Sequence, residues 1–128
     1  MHLVIEELVQ QFPIRRGTGR PEGRATVLDR LSLATGDIGT LVLVGPSGGG
    51  KSTLLRILAG LDTPVSGRVA FDGIPLPHDE DALRSYRRTV GTVFQAYNLF
   101  PHLTAMDNLL LPLIHVHGLS AAEARERV

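Results

Sequence analysis

The segment Gly45-Pro46-Ser47-Gly48-Gly49-Gly50-Lys51-Ser52-Thr53 constrains what this chain can fold into more than any other stretch. It follows the aliphatic run Leu41-Val42-Leu43-Val44, which predicts a parallel strand covered on both faces. It precedes the helix formers Ser52 to Ala59, with Gly60 placed to end the helix. A strand, the turn Gly-x-x-x-x-Gly-Lys-Ser and a helix together form a phosphate-binding loop in its required context. Gly48, Gly49 and Gly50 let main-chain N–H groups approach phosphate oxygens directly, and the opening helix adds the positive end of its dipole. Lys51 then reaches the β- and γ-phosphates, and the Ser52 hydroxyl completes a magnesium shell. Of the 13 basic residues only Lys51 is a lysine, so the compact ammonium is confined to this loop.

Composition narrows the remaining possibilities. The 128 residues carry 13 basic and 13 acidic side chains, a net charge of zero that argues against a general polyanion binder. Aromatics make up 5%, too few for the stacking platforms of single-strand nucleic-acid binders, so no nucleic-acid partner is expected. With no cysteine, disulfides, thiolate metal sites and cysteine nucleophiles are excluded. The opening residues do not read as a signal peptide, and the longest apolar stretch, Leu109 to Val116, is too short to span a bilayer. A cytosolic location is the expectation.

Around the loop, Leu3 to Val9 and Ala25 to Leu33 are predicted strands, and Arg15 to Arg24, with its arginines, glycines and Pro21, is predicted to be an exposed flexible insertion. A solvated loop is preferred there to an anion-binding arm. Pro64 to Gly67 predicts a turn, Arg68 to Phe71 a strand, Asp72-Gly73 a tight turn, and Asp79 the cap of a short helix through Arg88. Val90 to Phe94 is β-branched and apolar, a further predicted strand. Thr104 with Asp107, and Ser120 with Glu123, are capping-box patterns that open two helices, the first to be kinked at Pro112.

The phosphate loop alone does not choose among kinase, GTPase and ATPase. Together with Ser66-Gly67 and the segment Val93-Phe94-Gln95-Ala96-Tyr97-Asn98-Leu99-Phe100-Pro101-His102-Leu103-Thr104, the chain resembles the ATP-binding subunit of ABC transporters, most closely those of bacterial polar amino acid importers. The resemblance implies an α/β fold, a P-loop NTPase core of the ABC ATPase type with an antiparallel β subdomain. Residues 1–44 and 66–76 would supply β-subdomain strands, 45–60 the P-loop and its helix, 90–103 the Q-loop region and 104–128 the start of a helical subdomain. It further implies ATP and Mg2+ as cofactors, hydrolysis of ATP coupled to transport, a second ATPase subunit as partner, and a location on the inner face of the cell membrane. Residue by residue, Gly45, Ser47, Gly48, Gly49, Gly50, Lys51, Ser52 and Thr53 would hold the nucleotide, with Ser52 and Gln95 at the metal and Lys51 and Gln95 in catalysis. Thr53 would touch the α-phosphate or cap the helix. Phe12 is the candidate for stacking on adenine, the alternative being a core anchor. Tyr97 to Leu103 would either dock transmembrane permease subunits or pack within its own domain.

The family's Leu-Ser-Gly-Gly-Gln signature segment and its Asp-Glu (Walker B) strand are not among these residues; Leu119-Ser120-Ala121-Ala122-Glu123 reads as a helix cap, and Val69 to Asp72 runs into a hairpin turn. The resemblance therefore predicts a domain truncated before those segments, lacking hydrolytic competence by itself and folding poorly because two strand edges would be left unpaired. The rival readings are a non-hydrolysing nucleotide-binding module, an ATPase of an export or lipoprotein-release system, and a P-loop kinase, which the Gln95 segment disfavours.

Overall fold

A computed structural model of the chain describes residues 1–15, 21–96 and 98–128. They divide into two compact units, Met1–Arg87 and Arg88–Val128.

In the first unit, β1 (Leu3–Arg15) and β2 (Pro21–Ala34) form a long antiparallel ribbon, and β1 pairs on its other edge with β3 (Ser66–Phe71), which carries the short β4 (Ile74–Pro75). The sheet order among the described residues is β2-β1-β3-β4. β1 changes parity midway. Leu3 and Ile5 are buried, and so are Leu8 and Gln10, an odd step that plain alternation would turn outward. A bulge absorbs the extra residue: the register slips between Ile5↔Leu33 and Leu8↔Leu31, with Glu7 at φ 46°. The Ser32 hydroxyl accepts from the Glu7 N–H at 3.0 Å and holds the bulge.

Helix α1 (Lys51–Leu58) lies on this sheet. Its buried Leu54 and Ile57 join Leu3, Ile5, Leu8, Leu28, Val69 and Leu76 in one core. Helix α2 (Glu80–Arg87) is capped by Asp79, whose carboxylate accepts from the Ala82 N–H at 2.9 Å, and it buries Leu83. In the second unit, α3 (Ala105–His115) and α4 (Ala121–Glu126) each open with a complete capping box, Thr104 with Asp107 and Ser120 with Glu123. Leu110 and Ala124 are the buried side chains of these two helices.

Expectations for four segments are corrected. Leu41–Val44 and Val90–Phe94 form no strand; Val42, Val44 and Val93 are 72%, 89% and 99% exposed, since a strand forms only by pairing with a neighbour and neither segment has one among the described residues. The polar stretch read as a loop is partly ladder: Arg15 pairs with Pro21, and Gly23 and Arg24 pair with Ile14 and Pro13, main-chain bonding to an adjacent strand overriding composition; residues 16–20 lie outside the described residues. Ser66 and Gly67, expected in a turn, already belong to β3. Helix α3 contains Pro112, as expected, and continues to His115.

Candidate functional site: the phosphate loop

Helix α1 begins with a glycine. Gly50 is the N-cap at φ 79°, a left-handed conformation, and no side chain bonds the first turn. The first-turn N–H groups therefore have no capping oxygen, and no acidic side chain lies in that turn, which leaves the positive dipole end for an external anion. Gly50 is required for space as well as for its torsion. A Cβ there would stand 2.9 Å from Leu28 Cδ2 and 3.1 Å from the Val27 carbonyl oxygen, so β2 presses directly on the loop.

The loop closes on itself through Lys51. Its ammonium donates to the carbonyl oxygens of Gly45 at 2.8 Å and Pro46 at 2.6 Å, and the Gly49 N–H donates to Pro46 at 3.2 Å. An ammonium has three donors, so this brace leaves one for a ligand oxygen.

A cavity of about 370 Å³ lies over the loop, lined by Ser47–Thr53 with Phe12 and Val27. One wall is polar, made of glycine main chain, lysine and hydroxyls; the other is apolar, supplied by neighbouring strands of the ribbon. Phe12 is 38% exposed, so its ring is not a buried core anchor. The Ser52 hydroxyl, a hard oxygen donor lining the cavity in the first turn of α1, fits a magnesium ion whose other ligands would be phosphate oxygens and water. Thr53 lines the same cavity, and the cap position is held by Gly50.

Of the residues predicted from sequence, the structure brings Phe12, Ser47, Gly48, Gly49, Gly50, Lys51, Ser52 and Thr53 to this one cavity, with Gly45 bonded to Lys51. Gln95 belongs to the second unit, exposed at a bend. There too, Leu99 and Phe100 are exposed just before a turn at Pro101-His102 held by Asn108, whose amide oxygen accepts from the Phe100 N–H at 2.9 Å and whose amide nitrogen donates to the Thr104 carbonyl at 2.9 Å. Tyr97 lies outside the described residues. Sequence reasoning missed Val27; the signal was the break in alternation where Val27 and Leu28 stand together on β2.

A glycine-capped helix bearing an invaginated phosphate loop, laid on an antiparallel sheet that lends an aromatic wall, places the chain in the P-loop class with the architecture of an ABC ATPase cassette. The chain belongs to the ABC transporter family: the family's profile matches residues 28–128. It is 39% identical over 125 residues to the methionine import ATP-binding protein MetN of Cutibacterium acnes, covering 97% of this chain and 33% of that protein. It is 40% identical to the lipoprotein-releasing system ATP-binding protein LolD of Geobacter metallireducens, covering 95% and 56% respectively. Among solved structures it is similar to MJ0796, a bacterial ABC transporter cassette solved as a dimer, with TM-score 0.79, 36% identity and coverage of 98% of this chain and 53% of that one. The same cassette has been solved in a post-hydrolysis state bound to ADP and Pi, with TM-score 0.78 and 35% identity. The chain thus spans between a third and somewhat over half of the relatives it matches.

Proposed function

We propose that this chain is the nucleotide-gripping part of an ABC transporter ATP-binding subunit, and that the complete subunit hydrolyses Mg-ATP to drive a small polar solute, an amino acid, across the cytoplasmic membrane. The observation that carries the reading is the cavity in which Lys51, the glycine loop and Ser52 face Phe12 and Val27: a cationic, N–H-rich end for a triphosphate and an apolar end for a base.

In this reading Lys51 offers its remaining donor to the β- and γ-phosphates, the amides of Gly48 to Lys51 hold the phosphate oxygens, and Thr53 contacts the α-phosphate. Phe12 stacks on the base. Ser52 would hold magnesium, which when bound would neutralise charge on the phosphates, and Gln95 takes the metal role that the family resemblance implies. Gln95 orients the attacking water through an amide that both donates and accepts. A second ATPase subunit completes the site, a pairing supported by similarity to a cassette solved as a dimer. Transmembrane permease subunits dock on the Gln95 to Leu103 region, and the subunit sits on the inner face of the cell membrane. The exposed Leu99 and Phe100 support that docking.

Titration calorimetry with Mg-ATP tests the reading: the chain gives a saturable heat, and Lys51→Ala removes it. Binding without phosphate release is expected of these 128 residues, which hold neither an Asp-Glu strand nor a signature segment. No heat from the unaltered chain rejects the reading. Similarity to LolD favours a second reading, lipoprotein release in place of amino acid import. Transport by the complete subunit with its permease partners distinguishes the two.

A further inference from the structure

The far end of α1 is gripped by α2. The Tyr86 hydroxyl donates to the Leu58 carbonyl at 2.6 Å, and Arg87 Nε donates to the Gly60 carbonyl at 2.7 Å. Gly60, at φ 69°, leaves no spare room: a Cβ there would lie 3.0 Å from Tyr86 Cδ1 and 3.2 Å from Leu83 Cδ2. The Tyr86 ring stacks on Phe71 of β3 with centroids 6.4 Å apart, which ties the grip to the sheet. Arg87 is oriented by Glu80 at 2.7 Å, one residue type serving both the carboxylate and the helix end.

The Tyr86 bond acts on Leu58, the last carbonyl of the helix and part of the negative end of its dipole, while the carbonyls of Leu55, Arg56 and Ile57 accept from the N–H groups of Ala59, Leu61 and Gly60; the Arg87 bond acts on the turn those residues form. Against the sheet α1 packs through the apolar side chains of Leu54, Ile57 and Leu58, contacts that are non-directional and do not by themselves fix how far the helix slides or turns. The bonds from α2 are directional and do. With eight residues, α1 is a rod about 12 Å long. A rod that short moves as one body, so a shift at Leu58 arrives at Lys51 and Ser52.

We propose that α2 is a positioning element for the phosphate loop, with Tyr86 and Arg87 setting the depth at which Lys51 and Ser52 stand in the cavity. The inference rests on the reading that the cavity holds the phosphates of a nucleotide. Two probes test it on the full chain, Mg-ATP and Mg-tripolyphosphate, the second having phosphates but no base. Tyr86→Phe keeps the ring and its stacking and loses one donor; Arg87→Lys keeps a charge and loses the fork. Each variant is expected to weaken both probes together by about fivefold, the size of one hydrogen bond, leaving the ratio of the two affinities unchanged. Affinities are measured where circular dichroism shows each variant folded. Lower thermal stability with both dissociation constants unchanged overturns the proposal, because it shows a role in folding alone. Weakening of Mg-ATP without weakening of Mg-tripolyphosphate also overturns it, by placing the effect at the base end. If the unaltered chain binds neither probe, the nucleotide reading falls and this inference with it; unchanged variants of a chain that binds both overturn this inference alone.

Discussion

At the residue scale, steric demand and charge fix what each position tolerates. Gly67 sits at φ 89° with its α-carbon against the bulge of β1: a Cβ would lie 2.5 Å from the Glu7 carbonyl oxygen and 2.5 Å from Leu8 Cα, both main chain and unable to yield cheaply. Gly67→Ala combines a left-handed torsion with overpacking, so chemical denaturation is expected to show a loss of about 3 kcal/mol. Phe12 offers a complementary test at the cavity. If its ring stacks on the base, Phe12→Ala weakens Mg-ATP by about tenfold while Mg-tripolyphosphate is unaffected, a base–aromatic contact being worth roughly 1–3 kcal/mol. Equal weakening of both probes would assign Phe12 to the shape of the loop and deny it a base contact.

At the scale of elements, the helices depend on their ends and on one buried stripe. Ile57 is completely buried between α1 and the sheet, so Ile57→Ala opens a cavity beneath the far end of α1 and costs about 2–5 kcal/mol in equilibrium unfolding. The start of α4 depends on pH. Glu123 accepts hydrogen bonds from the Ser120 side chain and main chain, which hold its carboxyl below its ordinary value of 4.5. A depressed carboxylate contributes stability that is present in full above that value and lost as the pH falls through the lower, folded one. Protection of the amides of residues 120–126 against exchange, relative to their intrinsic rates at each pH, is therefore expected to fall on acidification below about 4.5, and Glu123→Gln to blunt the change. Glu80, held low by its hydrogen bond to Arg87, shifts in the same direction.

At the scale of the whole molecule, the balance between buried and exposed apolar surface governs behaviour in solution. Val42 and Val44, next to the phosphate loop, and Val93, in the second unit, are almost bare, and such surface favours self-association. The pair Val42→Thr and Val44→Thr should reduce concentration-dependent light scattering of the chain with little change in its denaturation midpoint. A marked fall in that midpoint would show that these valines support the fold despite their exposure. The same segments mark where reading from sequence stopped. An aliphatic run reveals a taste for pairing, and pairing also requires a neighbouring strand, which lies elsewhere in a chain or outside it. Arg15 and Arg24 were misread for the converse reason: their composition suits a loop, but the ladder between β1 and β2 extends past them. The grip of Tyr86 and Arg87 on α1 was invisible because nothing local distinguishes those side chains from other surface residues of an amphipathic helix.

What the sequence determined by itself was the phosphate loop and the helix caps. Their chemistry is local: nine consecutive residues hold the glycines, the ammonium and the hydroxyl, and a capping hydroxyl stands three positions before its partner. What only the tertiary structure decided was the company this loop keeps. Phe12 and Val27 reach the cavity because a bulge preserves the inward face of β1 and because β1 and β2 lie side by side, and α1 is held at its far end by a helix that follows it at a distance. Such placements depend on strand register and on packing between segments remote in sequence, whose free energies no single stretch of chain contains.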